Sequence, residues 1–209
     1  MRILVISEGK HELGRAREVN ASGALIQLVE RVLGPLLLPE SLQIEHRDSR
    51  SCGVVTQKDR ETGGPNYKGK AMSWIRYAQN QQIFDAVVIV VDQDNAPDRR
   101  KGFDAAQADN RWILPRAIGL AVKSFDAWML ADERAISKAI GRTVQTQKTP
   151  EDHKDPKDAM RIIVANSDAM TDVYASIAKE VNLDTLCTRC PKGFKPFRDR
   201  LVKLAAHGS

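Results

Sequence analysis

The chain has 209 residues, 42% of them hydrophobic, with 32 Lys and Arg against 27 Asp and Glu, for a net charge of +5. That length fits one domain, or one with a small appendage, and the apolar fraction is enough for a real core. No apolar run reaches about 18 residues, so a membrane-spanning helix is not expected, and the opening run Met1-Arg2-Ile3-Leu4-Val5-Ile6 is too short for a signal peptide. Three cysteines, Cys52, Cys187 and Cys190, cannot all pair, which fits a reducing compartment. The expectation is a cytoplasmic protein. A pI of about 9.2 is mildly basic, compatible with a nucleic-acid partner without being diagnostic of one.

Residues 2–6 read as a first buried strand, ending in Ser7-Glu8-Gly9-Lys10-His11-Glu12. Ala24, Leu25, Leu28, Val29 and Val32 then recur at helical spacing, predicting a helix over residues 12–32 that Gly34-Pro35 stops. Alternation over residues 42–46 predicts an edge strand, and residues 47–70 read as a long polar loop. A helix is expected over residues 70–82. Gly64-Pro65-Asn66-Tyr67-Lys68-Gly69-Lys70-Ala71 mimics a phosphate-binding loop, but Ala71 stands where a hydroxyl would hold magnesium, and no hydrophobic strand precedes it. A basic loop touching a phosphate backbone is the milder reading.

Residues 83–94 carry the strongest signal. Val87, Val88, Ile89, Val90 and Val91 form a continuous β-branched run, which fits a strand buried on both faces of a parallel sheet. It ends in Asp92 and Asp94, two residues apart and so pointing the same way on an extended chain. Ligands bind at the carboxyl ends of strands in open α/β sheets, and two close carboxylates need a compensating cation or a shared proton. An oxygen-preferring divalent metal supplies that charge; an Asp-rich turn is the plainer alternative. Glu8 stands at the end of the first strand in the same way, with Glu12 one turn further on, where it is either a ligand or an acid favoured by the helix dipole. Residues 117–122 predict a third such strand, delivering Lys123 and Asp126, with a helix over residues 125–140 closed by Gly141.

Arg99, Arg100 and Lys101 follow Asp94 closely in what reads as a charged turn, and a short helix is expected over residues 103–110. Residues 145–155 read as a connection. Helices over residues 156–165, 169–181 and 195–206 read as a helical extension, giving a core of residues 1–142 and an extension of residues 143–209. Lys195, Arg198, Arg200 and Lys203 lie on the last helix, and Phe194 and Phe197 interleave them at a spacing that equally fits packing. Cys187-Thr188-Arg189-Cys190 is a single CxxC, and structural zinc needs four ligands, so zinc is not expected.

Glu8-Gly9 at the end of a strand, followed by a helix and by a buried strand ending Asp92-Gln93-Asp94, resembles the TOPRIM domain of topoisomerases, bacterial primases, small RNA-maturation nucleases and OLD-type nucleases. Asp126-Ala127-Trp128-Met129-Leu130-Ala131-Asp132 resembles the acid-Ala-Trp-Leu-x-Asp signature of a poorly characterised TOPRIM-like family associated with phage-defence genes and their ATPases. Asp155-Pro156-Lys157 and Arg189-Cys190-Pro191, with Phe194 and Phe197, also look like that family's carboxyl-terminal pattern. Two positions depart from it: Asp126 stands where Glu is usual, and Ser7 where a hydrophobic residue is usual.

The resemblance implies a TOPRIM/Rossmann-like α/β fold, with a mostly parallel sheet flanked by helices and a C-terminal helical extension. It implies a nuclease using Mg2+ or Mn2+, one or two ions. Glu8, Asp92 and Asp94 would hold a metal, with Asp126 and Glu12 bringing a second, and Lys123 would neutralise charge on the phosphate. Arg99, Arg100, Lys101, Lys195 and Arg198 would contact DNA or RNA. The implied setting is anti-phage defence with an AAA- or ABC-type ATPase partner. The alternative keeps the fold without the chemistry, as a regulatory subunit that binds such an ATPase. A primase would need a template-binding domain or zinc ribbon, and a topoisomerase a domain carrying a nucleophilic tyrosine.

Overall fold

The computed structural model describes residues 1–14, 22–38, 40–53, 65–164 and 170–206. Strands β1 (Arg2–Ser7), β2 (Gln43–Asp48), β3 (Ala86–Asp92) and β4 (Arg116–Ala121) form one parallel sheet in the order β2-β1-β3-β4. Central β1 and β3 are apolar without alternation because both faces are covered. Ile3, Val5, Val88 and Val90 enter one core cluster, and Leu4, Ile6, Val87 and Ile89 the other. Edge strand β2, Gln-Ile-Glu-His-Arg-Asp, is polar and half-exposed.

Helices α3 (Tyr67–Asn80) and α4 (Pro97–Gln107) cover the face of Leu4 and Ile89 through Trp74, Ile75 and Phe103. The other face carries α2 (Ala24–Leu33), α5 (Asp126–Met129), α6 (Glu133–Ile140), α8 (Met170–Glu180) and α10 (Phe194–Ala205), which share one continuous core cluster with the sheet. The helices of the C-terminal stretch therefore pack directly on the sheet layer: α8 lies against α2 and α6, and α10 along β4. Gly119 permits that last contact, since a Cβ there would stand 2.8 Å from the Phe197 ring. Trp128 stacks on Phe197, with centroids 5.6 Å apart, and meets Phe194 edge-on, which fixes α5 and its Asp126 at the end of β4. Each such aromatic pair adds about 0.5–1.5 kcal/mol beyond area burial.

Several predicted boundaries shift, for local reasons. The helix expected over residues 12–32 begins as a short α1 (Lys10–Leu13) that stops at Gly14, whose φ of 85° no helix accommodates. Residues 15–21 lie outside the described residues, and α2 starts at Ala24. The helix expected over residues 125–140 is two helices, because the Asp132 side chain accepts from the backbone N–H groups of Arg134 and Ala135 and starts α6 afresh. The loop expected over residues 47–70 holds the end of β2, a 3-10 turn at Ser49–Cys52 and the start of α3, with residues 54–64 outside the described set. Arg99, Arg100 and Lys101 belong to the first turns of α4, where Pro97 occupies the position its fixed φ favours. The helices α7 (Pro156–Val164) and α9 (Leu183–Arg189) complete the chain; α9 was not foreseen from periodicity. Among the described residues no helix is long and apolar enough to cross a membrane.

Candidate metal centre at the sheet edge

From β1 the chain moves to β2 on one side, then returns to β3 on the other, so the order reverses between β1 and β3. A crevice opens at the carboxyl ends of strands where such a reversal occurs. Ser7 pairs with Val90 at that end of the sheet, and Glu8 and Asp92 emerge beside it. Asp126 arrives from the adjoining β4 through α5. The backbone N–H of Phe125 donates to an Asp92 carboxylate oxygen at 2.7 Å, tying the third motif to the second. Asp94 and Lys123 both take left-handed backbone (φ 53° and 60°), unusual for residues with a Cβ, and are joined by an Asp94 N–H to Lys123 carbonyl bond of 2.9 Å. The carboxylates predicted from three separate motifs thus share one edge of one sheet.

Glu12 lies deepest. Its carboxylate is buried, and one oxygen, Oε2, has no hydrogen-bond partner among the described residues. Its other oxygen presses on Gly9, where a Cβ would come within 2.1 Å, so the glycine after Glu8 makes room for the second acid. Burial first, then the charges of Asp92, Asp126 and Glu8, push Glu12 well above the usual carboxylate range. Burial likewise raises Asp92 to about 7; the Phe125 N–H opposes the rise, and Asp126 and Asp94 add to it. The Tyr174 phenol, on α8, donates to Asp126. Burial, followed by Asp126, raises that phenol above its usual value.

Among the described residues two cations face this negative centre. Lys70 donates to Glu8 at 2.6 Å. Arg99 bridges Glu8 and Asp94, at 2.6 Å to the latter, with its guanidinium over the Tyr67 ring. The acids thus divide into two sets: Glu8 and Asp94 turn to Arg99 and Lys70, while Asp92 and Asp126 turn to a backbone amide and a phenol. Among the described residues no three His, Cys, Asp or Glu side chains stand at metal-ligating spacing in this arrangement. The donor set is nonetheless all oxygen, as Mg2+ and Mn2+ prefer. Among the described residues the Glu12 oxygen without a partner, beside three other acids, is the group that a bound cation would hold in its ionised form.

The basic residues divide differently from the sequence expectation. Successive helix positions diverge by about 100°, so the three on α4 separate. Arg99 enters the acidic site, Arg100 bonds Gln93, and Lys101 forms an exposed pair with Asp98. Lys123 donates to the carbonyls of His153 and Lys154, which turns its ammonium onto a neighbouring loop. Lys195 pairs with Asp199, and Arg198 with Asp184. Lys70 and Tyr174 were not foreseen as site residues. Lys70 had a signal in the phosphate-loop mimic; Tyr174 had none, since its partner Asp126 lies 48 residues away.

The other motif residues anchor helices. Asp132 caps α6 and also accepts from Asn182 N–H, Arg189 bonds Glu133 and the Ala131 carbonyl, and Cys190 donates to the Ala127 carbonyl. Ser7 is buried, with an unpartnered hydroxyl. Cys190 and Cys52 occupy the cores on opposite faces of the sheet, so they do not converge on one zinc site. Compared with family models, curated proteins and solved structures, the chain matches none of them.

Proposed function

We propose that this chain is a TOPRIM-like, cytoplasmic nuclease that hydrolyses phosphodiester bonds in nucleic acid with Mg2+ or Mn2+, as the effector of a defence system with an ATPase partner. The observation that carries the reading is the buried, half-unpartnered Glu12 carboxylate, grouped with Asp92, Asp126 and Glu8 at the switch-point edge of a parallel sheet. Burying a carboxyl group whose hydrogen-bonding capacity is left partly unmet is costly, and such strongly shifted acids cluster at functional sites. Glu8, Asp92 and Asp94, backed by Glu12 and Asp126, would hold the ion. Bound there, a divalent cation lowers the pKa of an attacking water and stabilises the leaving oxygen. Arg99 and Lys70 hold Glu8 and Asp94 in place and present positive charge where a phosphate arrives. Tyr174 orients Asp126.

The experiment is cleavage of end-labelled DNA and RNA with Mn2+ or Mg2+. Wild-type protein cuts one of them, while a chelator, Asp92→Asn or Glu8→Gln abolishes cutting. Cleavage that persists in chelator and in both variants would reject the metal mechanism.

A second reading, a non-catalytic subunit that binds an ATPase, has one observation in its favour: Arg99 and Lys70 already neutralise Glu8 and Asp94. On that reading, Mn2+ neither binds the folded protein nor raises its melting temperature.

A further inference from the structure

A cavity of about 320 Å3 is lined by Asn66, Lys68, Gly69, Met72, Arg76, Arg111 and Trp112. Lys68, Met72 and Arg76 are four residues apart on α3 and so form one stripe along its face. The connection from α4 to β4 supplies the opposite wall through Arg111 and Trp112. The Arg76 guanidinium stands 5.1 Å from the Trp112 ring centre. Asp109 accepts from Arg111 at 2.6 Å and Lys68 at 3.0 Å, setting the spacing of two cations across the mouth. The cavity thus joins three cations, two of them held by Asp109 behind its lining, with a wall of indole and thioether.

We infer that this groove takes one nucleotide of the single strand that the acidic centre cuts; the inference rests on the nuclease reading above. Charge and shape select the ligand. Lys68 and Arg111 at the rim suit a phosphate, and the indole and Met72 suit the face of a base; aromatic walls interleaved with cations are how proteins hold single strands. The volume is at the small end for ligand pockets, enough for one base and its sugar but not for the width of a duplex. Position supplies the link: Lys68 and Lys70 both lie in the first turn of α3 on different sides of it, Lys68 toward Asp109 and Lys70 toward Glu8, so the groove and the acids flank the N-terminal end of one helix.

Tryptophan emission reads the groove directly. Trp74 and Trp128 are fully buried, while Trp112 is partly exposed in the groove wall. Asp92→Asn protein in chelator is titrated with a mixed-sequence 12-mer strand, the same sequence as a duplex, and poly-glutamate. The single strand quenches the emission; the duplex and poly-glutamate leave it unchanged. Trp112→Phe removes the quench. Lys68→Gln with Arg111→Gln weakens single-strand binding and lowers the slope of log affinity against log salt by about 1.4, roughly 0.7 for each phosphate contact. Arg111 is exposed, so Arg111→Gln alone is a folded control that lowers the slope by about 0.7. No quench, an equal quench by duplex or poly-glutamate, or an unchanged affinity and slope would overturn the groove. Wild-type cleavage with Mn2+ is scored separately. Cleavage without quench rejects the groove alone, and quench without cleavage rejects the nuclease reading alone.

Discussion

Asp92→Asn should stabilise the metal-free protein above neutral pH and flatten its pH dependence. In an unfolded chain Asp92 titrates near 3.9, whereas burial raises it to about 7 in the folded protein. Between those values the folded protein keeps a proton that the unfolded chain has released. Stability therefore falls as pH rises through this window, and levels off above about 7. A difference of about three pH units corresponds to at most on the order of 4 kcal/mol. Glu12 shifts in the same direction and steepens the loss. The asparagine amide carries no charge, its oxygen still accepts the Phe125 N–H, and its NH2 donates to a neighbouring carboxylate. Urea unfolding in chelator from pH 5 to pH 8.5 measures the effect. The wild-type midpoint should drop across the range, and the variant should hold most of its pH 5 stability. Parallel profiles, or a variant less stable than wild type at pH 8, would refute the electrostatic account of this edge.

Arg99→Gln leaves Glu8 and Asp94 facing each other without their bridging cation, so the metal-free protein should lose about 2 kcal/mol while its Mn2+ affinity rises; calorimetric titration giving equal or weaker Mn2+ binding would contradict that competition. Tyr174→Phe removes the phenol that donates to Asp126 and should cost about 1–2 kcal/mol in thermal unfolding, together with weaker Mn2+ binding. An unchanged melting temperature would show that the contact is not stabilising. Lys123→Met should cost stability, through its lost bonds to the His153 and Lys154 carbonyls, and spare Mn2+ affinity, whereas a large loss of affinity would mean that the ammonium serves the site.

The sheet and its acidic edge were legible because strand ends are local features. Val87 to Val91 can sit only where both faces are covered, and whatever follows such a run arrives at the sheet's carboxyl edge. Glu8, Asp92 and Asp126 were therefore placed by their position after three strands. The partners of these acids were not legible. Arg99 reaches Glu8 across 91 positions and Lys70 across 62, contacts set by how α3 and α4 pack. Arg99, Arg100 and Lys101 read as one patch in sequence and separate because they lie on a helix. Tyr174 required the docking of α8, and the break after α1 turned on the backbone of Gly14. The contacts of Lys123 with the His153 and Lys154 carbonyls were not legible either, since they join positions about 30 residues apart and start from a left-handed backbone.

The most direct measurement of the central claim is anomalous diffraction from a crystal of the wild-type protein soaked in Mn2+ at pH 8. The account predicts a manganese peak about 2.1 Å from carboxylate oxygens of Glu8 and Asp92, with the Arg99 guanidinium moved off Glu8. A map with no peak in that crevice, and with Arg99 still joining Glu8 to Asp94, would contradict it.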